Sequence, residues 1–194
     1  MVSRSQFDRA IRGARRRDER IAVFAAMLAK DAGLDRSMIV TGGSGVTLRT
    51  HGRFTSKDID IVGPRSAIAP VLKGWGFVEE EGEKHRRYWN RGDLQLSVDI
   101  IDRRDYVGLT EGIETISTPH GPARVAATED LIVRRLVFWQ RERKHQFMDQ
   151  AVVLYLEDTE SIDTDYLQFE VRRERVQKAY AEMLALAATQ ADPR

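Results

Sequence analysis

Apolar residues recur at three- and four-residue steps over residues 5–30, a pattern typical of an amphipathic helix. The positions that carry the pattern are Phe7, Ile11, Ala14, Ile21, Phe24, Ala25 and Leu28. It predicts one long helix that ends at Gly33, since glycine readily adopts the backbone conformation that closes a helix.

Two later segments alternate polar and apolar residues with the period of a β-strand. Residues 58–61 read Asp-Ile-Asp-Ile, which places both carboxylates on one face of the predicted strand and both isoleucines on the other. Residues 94–101 alternate in the same way and place Asp99 on the polar face of a second strand. Before them, the apolar residues 38–40 predict a short buried strand, and the following Gly-Gly-Ser predicts a sharp turn into a helix near Ser44.

The other predicted elements follow from turn residues and helical periodicity. They are a helix over 65–73, strands beginning at Phe77 and spanning 85–89, one edge strand and a crossing loop within 112–127, a helix with Thr128 as its N-cap, and helices over 146–156 and 163–188. We therefore predict an α/β fold, or α+β in a stricter scheme, in which a small mixed sheet carries the functional site at one edge. Residues 1–127 would form a core with its N-terminal helix, and residues 128–194 a helical region packed on that core.

Composition and charge limit the functions to be considered. The chain has 194 residues, 42% of them hydrophobic, which is enough for one sizeable core. Its 31 basic and 30 acidic side chains give a net charge of +1, so any basic surface must be local. Two local basic segments occur, at residues 12–20 and 172–178. The first is either a solvated face or a stripe that contacts RNA phosphates.

The absence of cysteine excludes disulfides, thiolate metal sites and a cysteine nucleophile, and it fits a reducing compartment. The N-terminus lacks the apolar core and cleavage site of a signal peptide, and the longest apolar run, residues 21–29, is too short to span a bilayer. These features predict a soluble cytoplasmic protein without membrane contact. An apolar stripe on the last predicted helix suits closure of the domain or of a homodimer.

The Gly-Gly-Ser turn and the strand carboxylates together predict a phosphate and metal site. Free N–H groups at a helix start, with the hydroxyl of Ser44, favour an anionic group such as a triphosphate. The backbones of Asp58 and Asp60 lie roughly 6.6 Å apart, two strand rises, so their oxygens can converge on shared cations. Such oxygen ligands suit Mg²⁺, which takes one or two carboxylates and completes its shell with phosphates and water. This is the chemistry of nucleotidyl transfer.

The ordered motif resembles the signature of the nucleotidyltransferase superfamily, whose polymerase-beta-like members carry a Gly-Gly/Ser turn followed by a DxD strand. The resemblance implies that the metal is bound by Asp58 and Asp60, and that the nucleotide is bound by Gly42, Gly43, Ser44, Arg53 and Lys57. More narrowly, the motif looks like the small stand-alone bacterial branch that includes AbiEii-type and MenT-type toxins and lincosamide-type antibiotic nucleotidyltransferases.

The resemblance also implies a third metal-binding carboxylate on a later, antiparallel strand of the same sheet. Residues 97–102, Ser-Val-Asp-Ile-Ile-Asp, are similar to its setting, and the strand alternation favours Asp99 over its rival Asp102. The alternative is that Asp99 only faces solvent.

Residues 127–136 resemble the helix that follows the sheet in this branch. In toxin-like relatives a Lys of this helix and an Asp one helix later join the active site. Here Arg135 stands at the Lys position, and Asp149 is the nearest match to the Asp. Arginine can neutralise phosphate but cannot act as a base, because it stays protonated in proteins. A surface salt bridge accounts equally well for either residue.

These inferences predict an enzyme that transfers a nucleoside monophosphate from an NTP to an acceptor hydroxyl and releases pyrophosphate. Two Mg²⁺ ions are expected, held by Asp58, Asp60 and Asp99. We predict the 3′ end of tRNA as the acceptor, and a toxin of a toxin–antitoxin system with a cognate antitoxin protein as partner. The alternatives are an antibiotic nucleotidyltransferase acting on an aminoglycoside or lincosamide, a non-catalytic nucleotide-binding or partner-binding module, and an unrelated α/β domain.

Overall fold

The computed structural model describes residues 2–81, 87–104, 106, 108 and 112–191. The chain divides into two compact units. The first, which we call the sheet unit, comprises residues 1–107 and 113–126. The second, the helical unit, comprises residues 108–112 and 127–194.

The sheet unit combines strands and helices, whereas the helical unit contributes helices alone among the described residues. The helices of the sheet unit are α1 (Arg4–Gly13), α2 (Arg17–Asp31), α3 (Gly42–Arg49) and α4 (Arg65–Gly74). Its strands are β1 (Ile39–Thr41), β2 (Asp58–Val62), β3 (Val78–Glu81), β4 (Arg87–Arg91), β5 (Leu96–Ile101), β6 (Glu114–Thr118) and β7 (Gly121–Val125). The helical unit contains α5 (Thr128–Glu142), α6 (His145–Glu157), α7 (Thr164–Arg173) and α8 (Gln177–Ala191). The predicted mixed α/β fold with a helical C-terminal half is confirmed.

The strands form one seven-stranded sheet in the order β3-β4-β5-β2-β1-β7-β6. The pairs β2–β5 and β1–β7 are parallel, and the other neighbouring pairs are antiparallel. Strand β2, expected at an edge of the sheet, is therefore its central strand. The expected antiparallel direction of the Asp99 strand is also wrong. Helix α4 returns the chain so that β3 runs parallel to β2, and the reversals at β4 and β5 bring β5 parallel to β2 again.

The predicted helix over residues 5–30 is two helices, because the backbone is extended at Ala14 and Arg16. The carboxylate of Glu19 accepts the N–H groups of Arg15 at 3.1 Å and Arg16 at 3.2 Å, which satisfies donors at the start of α2. The apolar period continues through the break because both helices bury their apolar residues in the same core.

Several predicted boundaries also differ from those observed. Of the strand predicted over 85–89, residues 85 and 86 lie outside the described residues. A 3₁₀ turn and the left-handed backbone of Gln95, at φ 52°, delay the start of β5 to Leu96. The turn-rich residues 112–127 hold a hairpin, β6–β7, in which β7 is internal because it also pairs with β1.

In the helical unit, α5 begins at Thr128, and its N-cap is Ala127 rather than Thr128 as predicted. The hydroxyl of Thr128 instead donates a hydrogen bond to Asp158. The helix predicted over 163–188 is interrupted at Arg175, where φ is 57°. Helix α5 packs against α6 and α7, and α6 packs against α8. Among the described residues, no helix is both long enough and apolar enough to cross a membrane.

A cluster of four aromatic rings forms the centre of the sheet unit's core. Phe7 of α1 stacks on Trp75 with ring centroids 4.2 Å apart, and Phe24 and Phe77 pack edge-on or tilted around them. The apolar face of β2 and β5 belongs to the same core through fully buried residues, among them Ile59, Ile61 and Val98. Burial of this face leaves the polar side chains of both strands on the opposite face.

The buried Arg91 of β4 connects α1 to the sheet. Its guanidinium donates to both carboxylate oxygens of Asp8, at 2.5 and 2.7 Å, and to the carbonyl oxygen of Trp75 at 2.6 Å. It also donates to Asp93 at 3.1 Å. A charge buried at this position is stable only with such partners, so the position of α1 depends on them.

Replacement of Asp8 by alanine should lower the free energy of unfolding by about 2–3 kcal/mol, because it leaves the buried guanidinium of Arg91 short of acceptors. Urea unfolding of the two proteins measures the difference. Arg12→Ala is the matched control, since Arg12 and its partner Asp93 are both exposed and lie 3.4 Å apart. Equal losses in both variants would contradict this role of Asp8.

The same pair predicts a contribution to acid unfolding. The hydrogen bond from Arg91 lowers the pKa of Asp8 from its ordinary 3.8. The pair's contribution to stability is therefore complete above pH 3.8 and is lost as the pH falls from there through the lower folded pKa. Unfolding of the Asp8→Ala variant should lack this part of the acid dependence.

Candidate active site

Three of the predicted carboxylates lie on one face of the two central parallel strands. Asp58 and Asp60 alternate with buried isoleucines along β2. The register of β2 and β5 places Asp60 opposite Asp99 and Asp58 opposite Ser97. Paired residues of parallel strands project to the same side, and neighbouring strands lie roughly 4.8 Å apart. We call this half-buried surface of Asp58, Asp60 and Asp99 the acidic face.

The glycine turn between β1 and α3 lies directly against Asp60. The backbone of Gly42 has φ 58°, and a Cβ atom there would lie 2.2 Å from Oδ2 of Asp60. A Cβ atom on Gly43 would lie 2.7 Å from the hydroxyl oxygen of Ser56. Without these side chains, the N–H group of Gly43 reaches Oδ2 of Asp60 at 2.9 Å. Gly42 is thus required both by its left-handed backbone and by its close approach to Asp60, and Gly43 by its close approach to Ser56.

Ser44 is fully buried, and its hydroxyl joins the first two strands to α3. The hydroxyl donates to the carbonyl oxygen of Thr41 at 2.8 Å and accepts the N–H of Asp60 at 2.9 Å. Because a serine hydroxyl has a single hydrogen to donate, it is committed to Thr41 in this arrangement. The predicted contact of Ser44 with a nucleotide therefore rests on its backbone N–H at the helix start.

Thr47 and Ser56 support the segment that precedes β2, and no sequence motif pointed to them. The Thr47 hydroxyl donates to the carbonyl of Gly43 and accepts the N–H of Ser56, each at 3.0 Å. The Ser56 hydroxyl donates to the carbonyl of Asp58 at 2.8 Å. The spacing of polar residues in the sequence does not predict these contacts, because they join a helix to the loop after it.

Arg53 and Lys57 lie in this loop between α3 and β2, and both side chains are exposed. Their predicted role is to bring positive charge to a nucleotide. Lys57 directly precedes Asp58, so a phosphate near the acidic face would lie within the reach of a lysine side chain. Their contact with a nucleotide stays a prediction.

The position of Asp102 distinguishes it from Asp99. Asp102 follows the last residue of β5, and Arg104 binds its Oδ1 through the backbone N–H at 2.9 Å and through Nε at 3.1 Å. These bonds, the side-chain one foremost, hold the pKa of Asp102 below its usual range. Asp99 is opposite Asp60 in the sheet, and its role as the third carboxylate stays a prediction.

The two remaining predicted residues belong to the helical unit. Arg135 is 5% exposed and donates to Oε1 of Gln150 at 3.3 Å, and its guanidinium lies 5.4 Å from the ring centre of Phe138 and 5.7 Å from that of Phe147. It is therefore not a surface residue. Asp149 is exposed on α6. Their participation in catalysis stays a prediction.

The acidic face suits a metal ion that arrives with phosphate. Among the described residues, no group of three or more His, Cys, Asp or Glu is arranged to hold an ion by itself. Mg²⁺, however, commonly takes one or two carboxylates and completes its shell with substrate phosphates and water. Asp58 and Asp60 supply carboxylates of this kind on one strand face, so the residues present fit Mg²⁺ bound together with a triphosphate.

Neither a protein-family model nor a curated protein sequence matches this chain. Solved structures match it by fold. An antigenic nucleotidyltransferase-like protein from Paracoccidioides brasiliensis superposes with a TM-score of 0.56 and 14% identity over 81% of this chain and 88% of its own.

The antibiotic-resistance factor ANT(2″)-Ia also matches. Its solution structure has a TM-score of 0.51 and 13% identity, covering 83% of this chain and 96% of its own. Its crystal structure in complex with adenylyl-2″-tobramycin has a TM-score of 0.51 and 14% identity, covering 79% of this chain and 98% of its own. At such identities the similarity establishes the fold, and the chain has a nucleotidyltransferase-like fold.

Replacement of Gly42 by alanine should displace the carboxylate of Asp60 and lower the free energy of unfolding by at least about 2 kcal/mol, through the left-handed backbone and the new clash. Thermal unfolding measures the loss. Gly74→Ala is the matched control, because a Cβ atom there meets nothing within 4 Å. A Gly42→Ala protein as stable as the Gly74→Ala protein would show that the turn can move away from Asp60.

Proposed function

We propose that this protein transfers a nucleoside monophosphate from an NTP to an acceptor hydroxyl. The observation that carries the proposal is the acidic face, whose Asp60 contacts the glycine turn at the start of α3. In the reaction the acceptor oxygen bonds to the α-phosphorus, and the bond from that phosphorus to the bridging oxygen breaks. Pyrophosphate leaves with the electron pair. The acceptor proton passes to Asp99.

Each residue group has a distinct part in this proposal. Asp58 and Asp60, joined by Asp99, would hold two Mg²⁺ ions, which neutralise phosphate charge when bound. The first backbone N–H groups of α3, at Gly42 and Ser44, orient the leaving phosphates, and Gly43, whose N–H donates to Asp60, lets the backbone come close to them. The charges of Arg53 and Lys57 bind the triphosphate, and catalytic parts for Arg135 and Asp149 are proposed from the resemblance to the toxin-like branch alone.

The nucleotidyltransferase-like fold supports this chemistry, since the acidic face and the glycine turn occupy the centre of that fold in the present chain. The reaction is proposed to take place in the cytoplasm. A catalytic role also explains why three carboxylates are gathered on one face, where like charges repel one another. A non-catalytic nucleotide-binding module would not need all three.

For the acceptor we propose RNA, specifically the 3′ end of tRNA, in a toxin that a cognate antitoxin protein restrains. The resemblance to toxin-like sequences and the second basic segment support this choice, since Arg172, Arg175 and Lys178 are exposed. The first basic segment adds little support. Arg16 pairs with Asp18 at 2.6 Å, and Arg17 binds main-chain carbonyls.

A second acceptor class is supported by a separate observation. ANT(2″)-Ia, an antibiotic-resistance factor with a structure containing adenylyl-2″-tobramycin, shares the fold over about four fifths of this chain, 79–83%. An aminoglycoside or lincosamide is therefore the second candidate for the acceptor of this chain.

The test is a labelling assay with purified protein, Mg²⁺ and each of the four NTPs labelled at the α-phosphate. Total tRNA, an aminoglycoside and a lincosamide are offered separately. Label at the 3′ end of tRNA, weakening steeply as salt is raised, supports the RNA acceptor. If only a drug is labelled, the proposed acceptor becomes an aminoglycoside or lincosamide instead of RNA. No labelled product with any acceptor contradicts nucleotidyl transfer on these substrates.

Replacement of Asp58 or Asp60 by asparagine should abolish transfer and leave the fold intact. Without metal, each variant should unfold at an equal or slightly higher temperature than the natural protein, because the loss of like-charge repulsion offsets the weaker contact of Asp58 with Arg17 or of Asp60 with the N–H of Gly43. The labelling assay and thermal unfolding in EDTA measure the two effects. Asp102→Asn serves as the control of equal charge change. Normal turnover by the Asp60→Asn protein would refute the proposed metal site.

Replacement of Asp99 by alanine should lower the rate of the chemical step by about 10²- to 10⁴-fold, the usual contribution of a positioned base, with much smaller loss of NTP affinity. Single-turnover labelling separates the two quantities. Asp102→Ala should leave the rate close to that of the natural protein. The opposite result, with loss at Asp102 and none at Asp99, would assign the role to Asp102.

A further inference from the structure

Two arginines one turn apart on α2 bind main-chain carbonyl oxygens instead of acids. Arg17 donates to the carbonyl of Ser56 through Nε at 3.0 Å and to that of Lys57 through Nη2 at 2.6 Å. Arg20 donates to the carbonyl of Leu94 through Nη2 at 2.5 Å. Both side chains are half-buried. We call this pair the arginine clamp.

The carbonyls lie where the chain enters the two strands of the acidic face. Lys57 directly precedes Asp58, the first residue of β2, and Leu94 lies two residues before the start of β5. Because β2 and β5 are parallel, their first residues lie at the same end of the sheet. One turn of α2 therefore contacts the entry to both strands.

Without the carbonyl acceptors, the placement of Arg17 and Arg20 one turn apart is unfavourable. Two like charges at this spacing on a helix repel one another. Burial, and then the charge of Arg20, lower the pKa of Arg17, while Asp58 acts in the opposite direction. Guanidinium groups stay charged in proteins and present several N–H donors in a fixed plane, which suits adjacent carbonyl oxygens. The carbonyl contacts are thus the main stabilising partners of the clamp.

We propose that Arg17 and Arg20 are positioning residues that set the placement of β2 relative to β5, and thereby the separation of the carboxylates on the acidic face. The effect of this positioning on catalysis rests on the proposed nucleotidyl transfer. A strand shift by one residue would exchange carboxylates for isoleucines on that face, and smaller shifts change the distance from Asp60 to Asp99. The clamp opposes both kinds of shift at the points where the strands begin.

Lysine variants test the clamp without changing the charge. Arg17→Lys and Arg20→Lys keep one cation but lose the planar set of donors. Arg12→Lys is the matched control, because Arg12 belongs to the same basic segment but is exposed and pairs with the exposed side chain of Asp93. If these arginines served RNA binding, lysine would retain most of the electrostatic attraction to phosphates.

The first measurements use the folded protein without turnover. Titration with Mn²⁺ in the presence of a non-hydrolysable NTP analogue, followed by electron paramagnetic resonance, should show an affinity about 10- to 100-fold weaker for Arg17→Lys, as for other groups that orient metal ligands. Hydrogen exchange at the amides of Ile59, Asp60 and Ile61 should be faster. For Arg20→Lys the faster exchange should appear in β5. Arg12→Lys should match the natural protein in both measurements.

Transfer assays then give a second signature. For both clamp variants we expect kcat to fall by about 10- to 100-fold, since small displacements of catalytic groups have effects of this size. The KM for the NTP should change much less, because donors of Arg17 and Arg20 are used on main-chain carbonyls. This split between kcat and KM separates positioning from substrate binding.

Each outcome decides the proposal. Natural Mn²⁺ affinity, exchange and kcat in folded clamp variants overturn it, and loss confined to tRNA binding overturns it in favour of a nucleic-acid contact. Unfolding of both variants would make the arginines general stability determinants and also overturn it. If the natural protein transfers no nucleotide, the proposed function fails, whereas the exchange measurements still decide the clamp.

Discussion

Hydrogen bonds from the start of α3 hold Asp60 at both its side chain and its backbone, and the acidic face depends on them. Gly43 donates its N–H to the carboxylate, and the Ser44 hydroxyl accepts the N–H of Asp60 itself. The same hydroxyl donates to Thr41 at the end of β1. Strand, turn and helix are thereby joined around one side chain. This is sterically allowed only because Gly42 and Gly43 lack Cβ atoms.

Local features of the site could be predicted from the sequence, and long-range features could not. Strand alternation and a glycine turn depend on neighbouring residues, so the shared face of Asp58 and Asp60 follows from the local residue pattern alone. The direction of β5 depends on the whole path through α4 and the β3–β4 pair. Arg17 and Arg20 bind carbonyls 39 and 74 residues further along the chain, and no periodicity records such distances.

The structure shows what several of the basic residues in this charge-balanced chain bind. Several arginines of the sheet unit each donate to a main-chain carbonyl that belongs to another element or loop. They are Arg17, Arg20, Arg49 and Arg91. Such arginines connect segments of the fold, and their charges do not form an external basic surface. A run of arginines in the sequence therefore does not by itself indicate a polyanion-binding face.

The central position of β2 in the sheet affects how the protein unfolds locally. Local unfolding of a sheet usually begins at its edges, where backbone hydrogen bonds are most exposed, and reaches the central strands last. Here the edges are β3 and β6, while the carboxylates lie on β2 and β5. Repulsion among three carboxylates is therefore concentrated in the strands that are most protected from fraying. The outer strands can open and close on their own timescale while the acidic face keeps its geometry.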